Sequence, residues 1–196
     1  GFQVAYAFET RRSARKSGRT IPVVAMVSIT LVEKAGAAQC VSQAADAGFD
    51  ALLTPDLPVD RWNGLDRIVR NAGLDMIPLL APNSSDNRRR LAVENGSGFI
   101  YQMAVAGLTG ARASVSTELE SCVRSLKGMT KTPVVVGFGV STPDHVKDIC
   151  RYADGAIVGS ALVGMLSDAI QSGESRSELL DRLRNAVRSM ANATAR

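Results

Sequence analysis

Short apolar runs alternate with amphipathic helical patterns along this whole chain, and no other feature constrains the fold as much. "IPVVAMVSI" (21–29) is almost entirely apolar, as suits a strand buried on both faces. "KAGAAQCVSQAADAG" reads as a small-residue helix closed by Gly48 at the C′ position. "FDALLTPDLP" (49–58) is a short strand stopped by Pro55 and Pro58, followed by a helix through Trp62, Leu65, Ile68 and Val69. "AGLDMIPLLAPNSS" (72–85) supplies the next strand, and its opening echoes "AGFDALL" at 47–53, as repeated helix–strand junctions do. Ser84, Ser85 or Asp86 can cap the helix after it. A strand at 98–103 precedes a helix carried by Leu119, Cys122, Val123 and Leu126, with Thr117 and Glu120 as a capping box and Gly128 as the stop. "TPVVVGFGVSTPDHV" (132–146) is strand, glycine turn and helix, with Pro143 near the first helical position, and "ADGAIVGSALV" (153–163) repeats that plan. The last helix is capped by Ser175 and Glu178 and shows an apolar face of Leu179, Leu183, Val187 and Met190. Six strands, each separated from the next by helix, imply parallel βαβ units.

A chain of 196 residues suits one domain over 1–196, and 45% hydrophobic with 21% charged residues is the balance of a folded chain. Aromatics make up only 5%, so Ala, Val, Leu and Ile must build the core. The net charge of +4 gathers in "RRSARKSGR" (11–19), which has no interleaved aromatics and reads as a solvated helix end rather than a nucleic-acid surface. Cys40, Cys122 and Cys150 lie far apart without C-x-x-C spacing, which argues against a zinc or redox motif and fits a reducing, cytoplasmic setting. His145 is the only histidine and sits at a helix start, so no histidine-rich metal site is expected. No run is long enough to span a bilayer and no secretory segment opens the chain. "FQVAYAF" puts Phe2, Val4, Ala5 and Phe8 on one helical face from the outset, so residues upstream of Gly1 are expected.

Two architectures satisfy the alternation, an open doubly wound sheet and a (β/α)8 barrel. A dinucleotide-binding sheet carries its glycine motif after the first strand. Here the glycine turns follow the last three strands: Gly107-Leu108-Thr109-Gly110, Gly137-Phe138-Gly139 and Gly159-Ser160. Late βα loops at the C-terminal ends of the strands are where a TIM barrel builds its phosphate site. Glycine lets the main chain approach an anion without a Cβ in the way, and bare N–H groups at a helix start favour phosphate. The fold class expected is therefore α/β, of the (β/α)8 TIM barrel kind, with six parallel strands in this chain.

"GFDALLTPDLPVD", "GFIYQMAVAGLTGAR", "TPVVVGFGVSTPDHV" and "DGAIVGSALV" resemble the tryptophan synthase alpha chain family, in the same order and with similar gaps, from about residue 20 to the C-terminus. The resemblance implies a lyase subunit that cleaves indole-3-glycerol phosphate to indole and glyceraldehyde 3-phosphate. Its implied partner is a beta chain that carries pyridoxal phosphate and condenses indole with serine; no cofactor, nucleic acid or membrane is implied for this chain. Carried over by motif, Gly110, Gly139, Gly159 and Ser160 hold the substrate phosphate. Tyr101, Phe138 and Thr109 line the substrate pocket with Met26 and Leu53, although barrel core is an equal reading of the last two. Asp56 and Pro58 fall at the beta-chain contact, and the loop from Gly107 to about Ser116 corresponds to a lid over substrate.

One departure matters. The family assigns proton transfer to a glutamate ending the first strand and an aspartate after the second, and the motif register places both upstream of Gly1. Asp56, Asp75 and Glu33 do not match those places, and "MVSIT" (26–30) replaces a Tyr and an Asn of many relatives. Three alternatives stand beside the lyase: a non-catalytic module docking to a beta chain, an indole-glycerol-phosphate synthase and a pentose-phosphate epimerase. The synthase wants a lysine at a strand end and the epimerase histidine ligands there; no strand ends in lysine, and His145 is not at a strand end.

Overall fold

The computed structural model describes residues 4–18, 20–104, 113–137 and 139–194, with side chains from Tyr6 and, in the third segment, from Thr117. The chain divides into two compact units, Gly1–Leu80 with Ser84–Ile100, and Ala81–Asn83 with Tyr101–Arg196. In the first, α1 (Val4–Lys16) leads to β1 (Val24–Met26), α2 (Ile29–Ala35), α3 (Ala37–Asp46) and β2 (Ala51–Leu53). A 3-10 turn (Val59–Arg61), α4 (Leu65–Asn71), β3 (Asp75–Met76), β4 (Leu79–Leu80) and α5 (Asp86–Asn95) follow. β1, β2 and β3 pair in parallel, with Met26 opposite Leu53 and Leu52 opposite Met76. Ala25, Ala51, Leu52, Leu53 and Met76 are all buried, which is why these strands read as unbroken apolar runs.

The second unit holds β5 (Ile100–Met103), α6 (Ala113–Met129), β6 (Val134–Gly137), α7 (Pro143–Ile149), β7 (Gly155–Ile157), α8 (Ser160–Ser172) and α9 (Arg176–Asn192). β5, β6 and β7 are neighbours in that order, and β6 and β7 run parallel with Gly137 opposite Ile157. Leu119, Val123 and Leu126 of α6 and Val146 and Ile149 of α7 are buried with Val134 and Val136 of β6. Gln102 is fully buried, its amide donating to the Met103 carbonyl at 2.9 Å and accepting from the Cys122 thiol.

The echoed "AGFD" and "AGLD" segments are one structural device used twice. Gly48 and Gly73 both take positive φ, at 83° and 77°. In each, the glycine N–H and the next N–H return to the last turn of the helix: Gly48 to Ala45 and Phe49 to Ala44, then Gly73 to Arg70 and Leu74 to Val69. Both are Schellman closures, which satisfy the free carbonyls of a helix end. The aspartate after the first turn does further work. The Asp50 carboxylate accepts from the Val23 N–H at 2.7 Å and from Arg11 and Arg15, the latter at 2.6 and 2.8 Å. Arg11 and Arg15 also donate to the Gly48 carbonyl, each at 3.0 Å. The 11–19 run is therefore not wholly solvated: Arg11 is only 6% exposed, and two of its cations pin α1 to the helix–strand junction.

Several boundaries differ from the sequence reading. The 21–29 strand shrinks to three residues, and the 72–85 strand splits into β3 and β4 around Ile77 and Pro78, since proline brings no N–H to a ladder. The 34–48 helix is two helices broken at Gly36, where φ is 81°. Thr117 and Gly128 lie inside α6, so the expected capping box and stop are not its ends; the buried face outweighs one interior glycine, and Glu120 pairs with Arg124 instead. On α9 the Ser175–Glu178 capping box forms, while Val187 stays 50% exposed.

Substituting alanine at Gly48 and Gly73 separates backbone strain from contact. At Gly73 a Cβ meets open space, so only the left-handed backbone is strained, at about 1 kcal/mol. At Gly48 a Cβ would lie 2.7 Å from Cγ of Arg15, so the ion pair with Asp50 must also shift. Denaturant unfolding should therefore show Gly48→Ala distinctly the more costly; equal losses would mean that the Arg15 contact contributes nothing.

Candidate functional site

On the second unit, two glycine turns leave the C-terminal ends of β6 and β7 side by side, because Gly137 and Ile157 are paired in register. Gly139 sits at φ 77° with open space where a Cβ would be. Its backbone requires glycine, and no described residue stands within 4 Å of where its Cβ would be. Gly159 is the N-cap of α8 and also faces open space, and Ser160 is the first helical residue, exposed. The N–H groups of the first turn of a helix have no intrahelical acceptor, so a 13-residue helix here presents donors and the positive end of its dipole. Of the expected phosphate ligands, Gly139, Gly159 and Ser160 thus share one rim, and Gly110 lies outside the described residues, as do Thr109, Phe138 and residues 107–112 of the expected lid.

Neighbouring groups are committed to local structure. Thr142 caps α7 by accepting from the His145 N–H at 3.2 Å, and His145 Nδ1 accepts from the Ser141 N–H at 3.4 Å. Tyr101, in β5, is 9% exposed with its ring against Gly137, and burial pushes its phenol pKa up.

On the first unit, Met26 and Leu53 are paired at the ends of β1 and β2. Leu53 is 2% exposed and Met26 58%, so of the two only Leu53 is core here. Asp56 follows β2 and reaches back to the start of α2. Its carboxylate accepts from the Ser28 hydroxyl at 2.5 Å and from the Ile29 N–H at 2.9 Å. Ser28 is the N-cap of α2 yet its own side chain makes no cap bond; Asp56 supplies it from the next strand. The Ser28 hydroxyl, chiefly, holds the Asp56 carboxyl below its ordinary value against the opposing effect of burial, with a lesser contribution from the Ile29 N–H. Asp56 and Pro58 line a groove of about 470 Å³ with Glu33, Arg61, Trp62 and Asn63. The sequence reading missed Ser28 as a partner of Asp56, since 28 residues separate them and only the β1–β2 register brings them together. Among the described residues, no three His, Cys, Asp or Glu side chains gather as metal ligands, and no helix is long and apolar enough to cross a membrane.

The Asp56 bond predicts a pH signature. A carboxyl whose folded pKa lies below its unfolded value of about 3.9 stabilises the fold above that value and loses the effect as pH falls through the lowered one. Asp56→Ala should thus lower the thermal midpoint at pH 7 and make little difference near pH 2. Ser28→Ala should raise the Asp56 pKa, read by carboxyl NMR; an unmoved value would show that the hydroxyl does not hold it.

Comparison with known proteins bears on both rims. The family model described as tryptophan synthase alpha chain matches residues 1–195. The chain is 34% identical over 179 residues to the tryptophan synthase alpha chain of Methanocaldococcus jannaschii, covering 91% of this chain and 64% of the relative. It superposes on a solved tryptophan synthase alpha subunit from Legionella pneumophila with a TM-score of 0.82 at 27% identity, over 96% of this chain and 68% of the other. A chain of the tryptophan synthase a2b2 complex from Pyrococcus furiosus matches at a TM-score of 0.82 and 28% identity, over 98% of this chain and 74% of that one. The chain thus spans less than two thirds of the Methanocaldococcus relative. With sequence and fold in agreement, the chain belongs to the tryptophan synthase alpha chain family and has its (β/α)8 TIM-barrel class of fold.

Proposed function

We propose that this chain is an alpha-type lyase subunit of tryptophan biosynthesis, whose substrate is indole-3-glycerol phosphate. The observation that carries the reading is the paired rim on β6 and β7, where a left-handed Gly139 and the N-terminus of α8 stand together with no described residue where either glycine's Cβ would be. Gly139, Gly159 and Ser160, with Gly110, hold the phosphate through main-chain N–H groups and one hydroxyl. Tyr101, with Phe138 and Thr109, contacts the indolyl part. The reaction is a retro-aldol cleavage. A proton is delivered to the indole ring carbon, the bond from that carbon to the glyceryl chain breaks, and the glyceryl hydroxyl gives up its proton as the aldehyde forms.

Asp56, Asp75 and Glu33 do not fit that proton work. Asp56 is held by Ser28 and Ile29, Asp75 begins β3 and so faces the rim opposite the glycine-turn end of the strands, and Glu33 belongs to α2. In this reading the 196 residues bind the substrate and do not themselves supply the acid/base pair. The groove beside Asp56 and Pro58 is assigned to the beta chain, which carries pyridoxal phosphate; the a2b2 assembly of the Pyrococcus relative supports that partner. A module that only docks to a beta chain is the second reading, and it shares the same groove. Cys40, Cys122 and Cys150 as thiols fit a reducing, cytoplasmic setting.

Titration calorimetry with inorganic phosphate and glycerol 3-phosphate tests the site. Gly139→Asp should abolish binding through charge and bulk, whereas Ser160→Ala removes one hydroxyl and should cost about 1 kcal/mol, roughly fivefold. Phosphate binding that survives Gly139→Asp would place the anion elsewhere. A clean preparation of this chain should release no indole from indole-3-glycerol phosphate above background; normal turnover would show the chemistry to lie within these residues.

A further inference from the structure

Apolar packing does little to hold α8, whose N-terminus forms part of the rim. Of its 13 residues only Ala169 is buried, Val163 and Ile170 are 63% and 81% exposed, and the neighbouring α9 buries none. A cavity of about 270 Å³ is lined by Leu162 of α8 and by Val187 and Met190 of α9, so the two helices do not interlock there. Arg182 of α9 joins them further along. Its Nη2 donates to the Met165 carbonyl at 2.8 Å and to a Glu174 carboxylate oxygen at 2.6 Å. A carbonyl inside a helix serves one N–H and keeps a second lone pair, which the guanidinium takes up; with a charged donor, both bonds are of the stronger kind. Nε of Arg182 is buried with no hydrogen-bond partner among the described residues, so the side chain is held at the cost of one unsatisfied donor. Glu174 is fixed in turn. It follows Gly173, whose φ is 68°, and its N–H returns to the Ala169 carbonyl at 3.1 Å, closing α8.

We propose that Arg182 is a positioning residue for the phosphate site: by clasping Met165 and Glu174 it sets the line of α8, and so where the free N–H groups after Gly159 point. The second half of that statement rests on the functional reading above; the first half rests on the hydrogen bonds alone. Met165 stands about 8 Å along the helix axis from Ser160, so Arg182 acts on the rim through the helix. Without the clasp α8 keeps its own hydrogen bonds and its closure at Gly173, but it can tilt against α9. A tilt moves donors that must converge on one anion with the Gly139 turn, and convergence is what a preorganised anion site requires.

Three variants test this against wild type: Arg182→Met, Arg182→Lys and Arg184→Met. The first keeps an apolar stem and loses the guanidinium. The last removes the same charge from the same helix at a surface position, where Arg184 is 67% exposed and pairs with Asp181. Amide hydrogen exchange is read without ligand, and binding of inorganic phosphate by calorimetry. In Arg182→Met the amides from Gly164 to Ser172 should exchange about tenfold faster relative to those of α7, as loss of a charge-assisted hydrogen bond implies, and phosphate should bind about tenfold more weakly. Arg182→Lys should recover part of both, since an ammonium still donates to the carbonyl. Arg184→Met should leave both within about twofold. Unchanged exchange in Arg182→Met overturns the clasp. Faster exchange with unchanged phosphate affinity overturns the positioning role, and so does an equal loss of affinity in Arg184→Met, which would show that charge alone is felt. Wild-type chain that binds no phosphate overturns the rim reading while leaving the exchange result to decide on the clasp, so the two failures are told apart.

Discussion

The Asp50 carboxylate is the point on which the first unit depends. Its side chain takes the Val23 N–H and the guanidinium groups of Arg11 and Arg15, while its main chain donates to the Val23 carbonyl and accepts from the Asp75 N–H. One residue thereby ties α1 to the starts of three parallel strands. Arg11 cannot shed its charge and is 6% exposed, so removing Asp50 would strand a buried cation, the costly way to break an ion pair. The second unit repeats the arrangement: Asp154, at the start of β7, accepts from the Val134 N–H at 2.9 Å and from Lys127 at 2.5 Å. Each clamp sits at the N-terminal ends of strands, the rim where barrel folds keep their stability devices, and leaves the C-terminal ends free for chemistry.

Parallel pairing then determines what meets at those free ends. Residues just past two neighbouring strands come together whatever their separation in sequence, which is how Ser28 and Asp56 come to cap one helix and how Gly139 and Gly159 come to open on one rim. The same geometry that builds the Asp56 groove engages both Asp56 carboxylate oxygens, one with the Ser28 hydroxyl and one with the Ile29 N–H.

Three glycines in this chain answer to three different constraints. Gly48 closes a helix and needs its positive φ. Gly139 also needs positive φ, but no described residue stands where its Cβ would be. Gly137 needs no unusual backbone and is kept small by the Tyr101 ring. A composition count would treat them alike; only the atoms around each one separate turn, ligand and packing roles.

By itself, the sequence determined the order of strands and helices, the helix closure at Gly48, the caps at Ser85 and Ser175, and the turns at Gly139 and Gly159. These are local effects: periodicity, φ preference and the hydrogen bonds of a helix end act within a few residues and leave their mark in the residues themselves. Strand lengths were not legible, because β3 and β4 are set by which N–H groups find a neighbouring strand around Pro78. Nor was the burial of Arg11, since the carboxylate that permits it lies 39 residues away. The Ser28–Asp56 bond and the Gly137–Tyr101 contact belong to the same class. Tertiary structure alone decided them, for each is a contact between separate βα units, and a single chain read in order carries no local signal of which side chains the parallel register will place side by side.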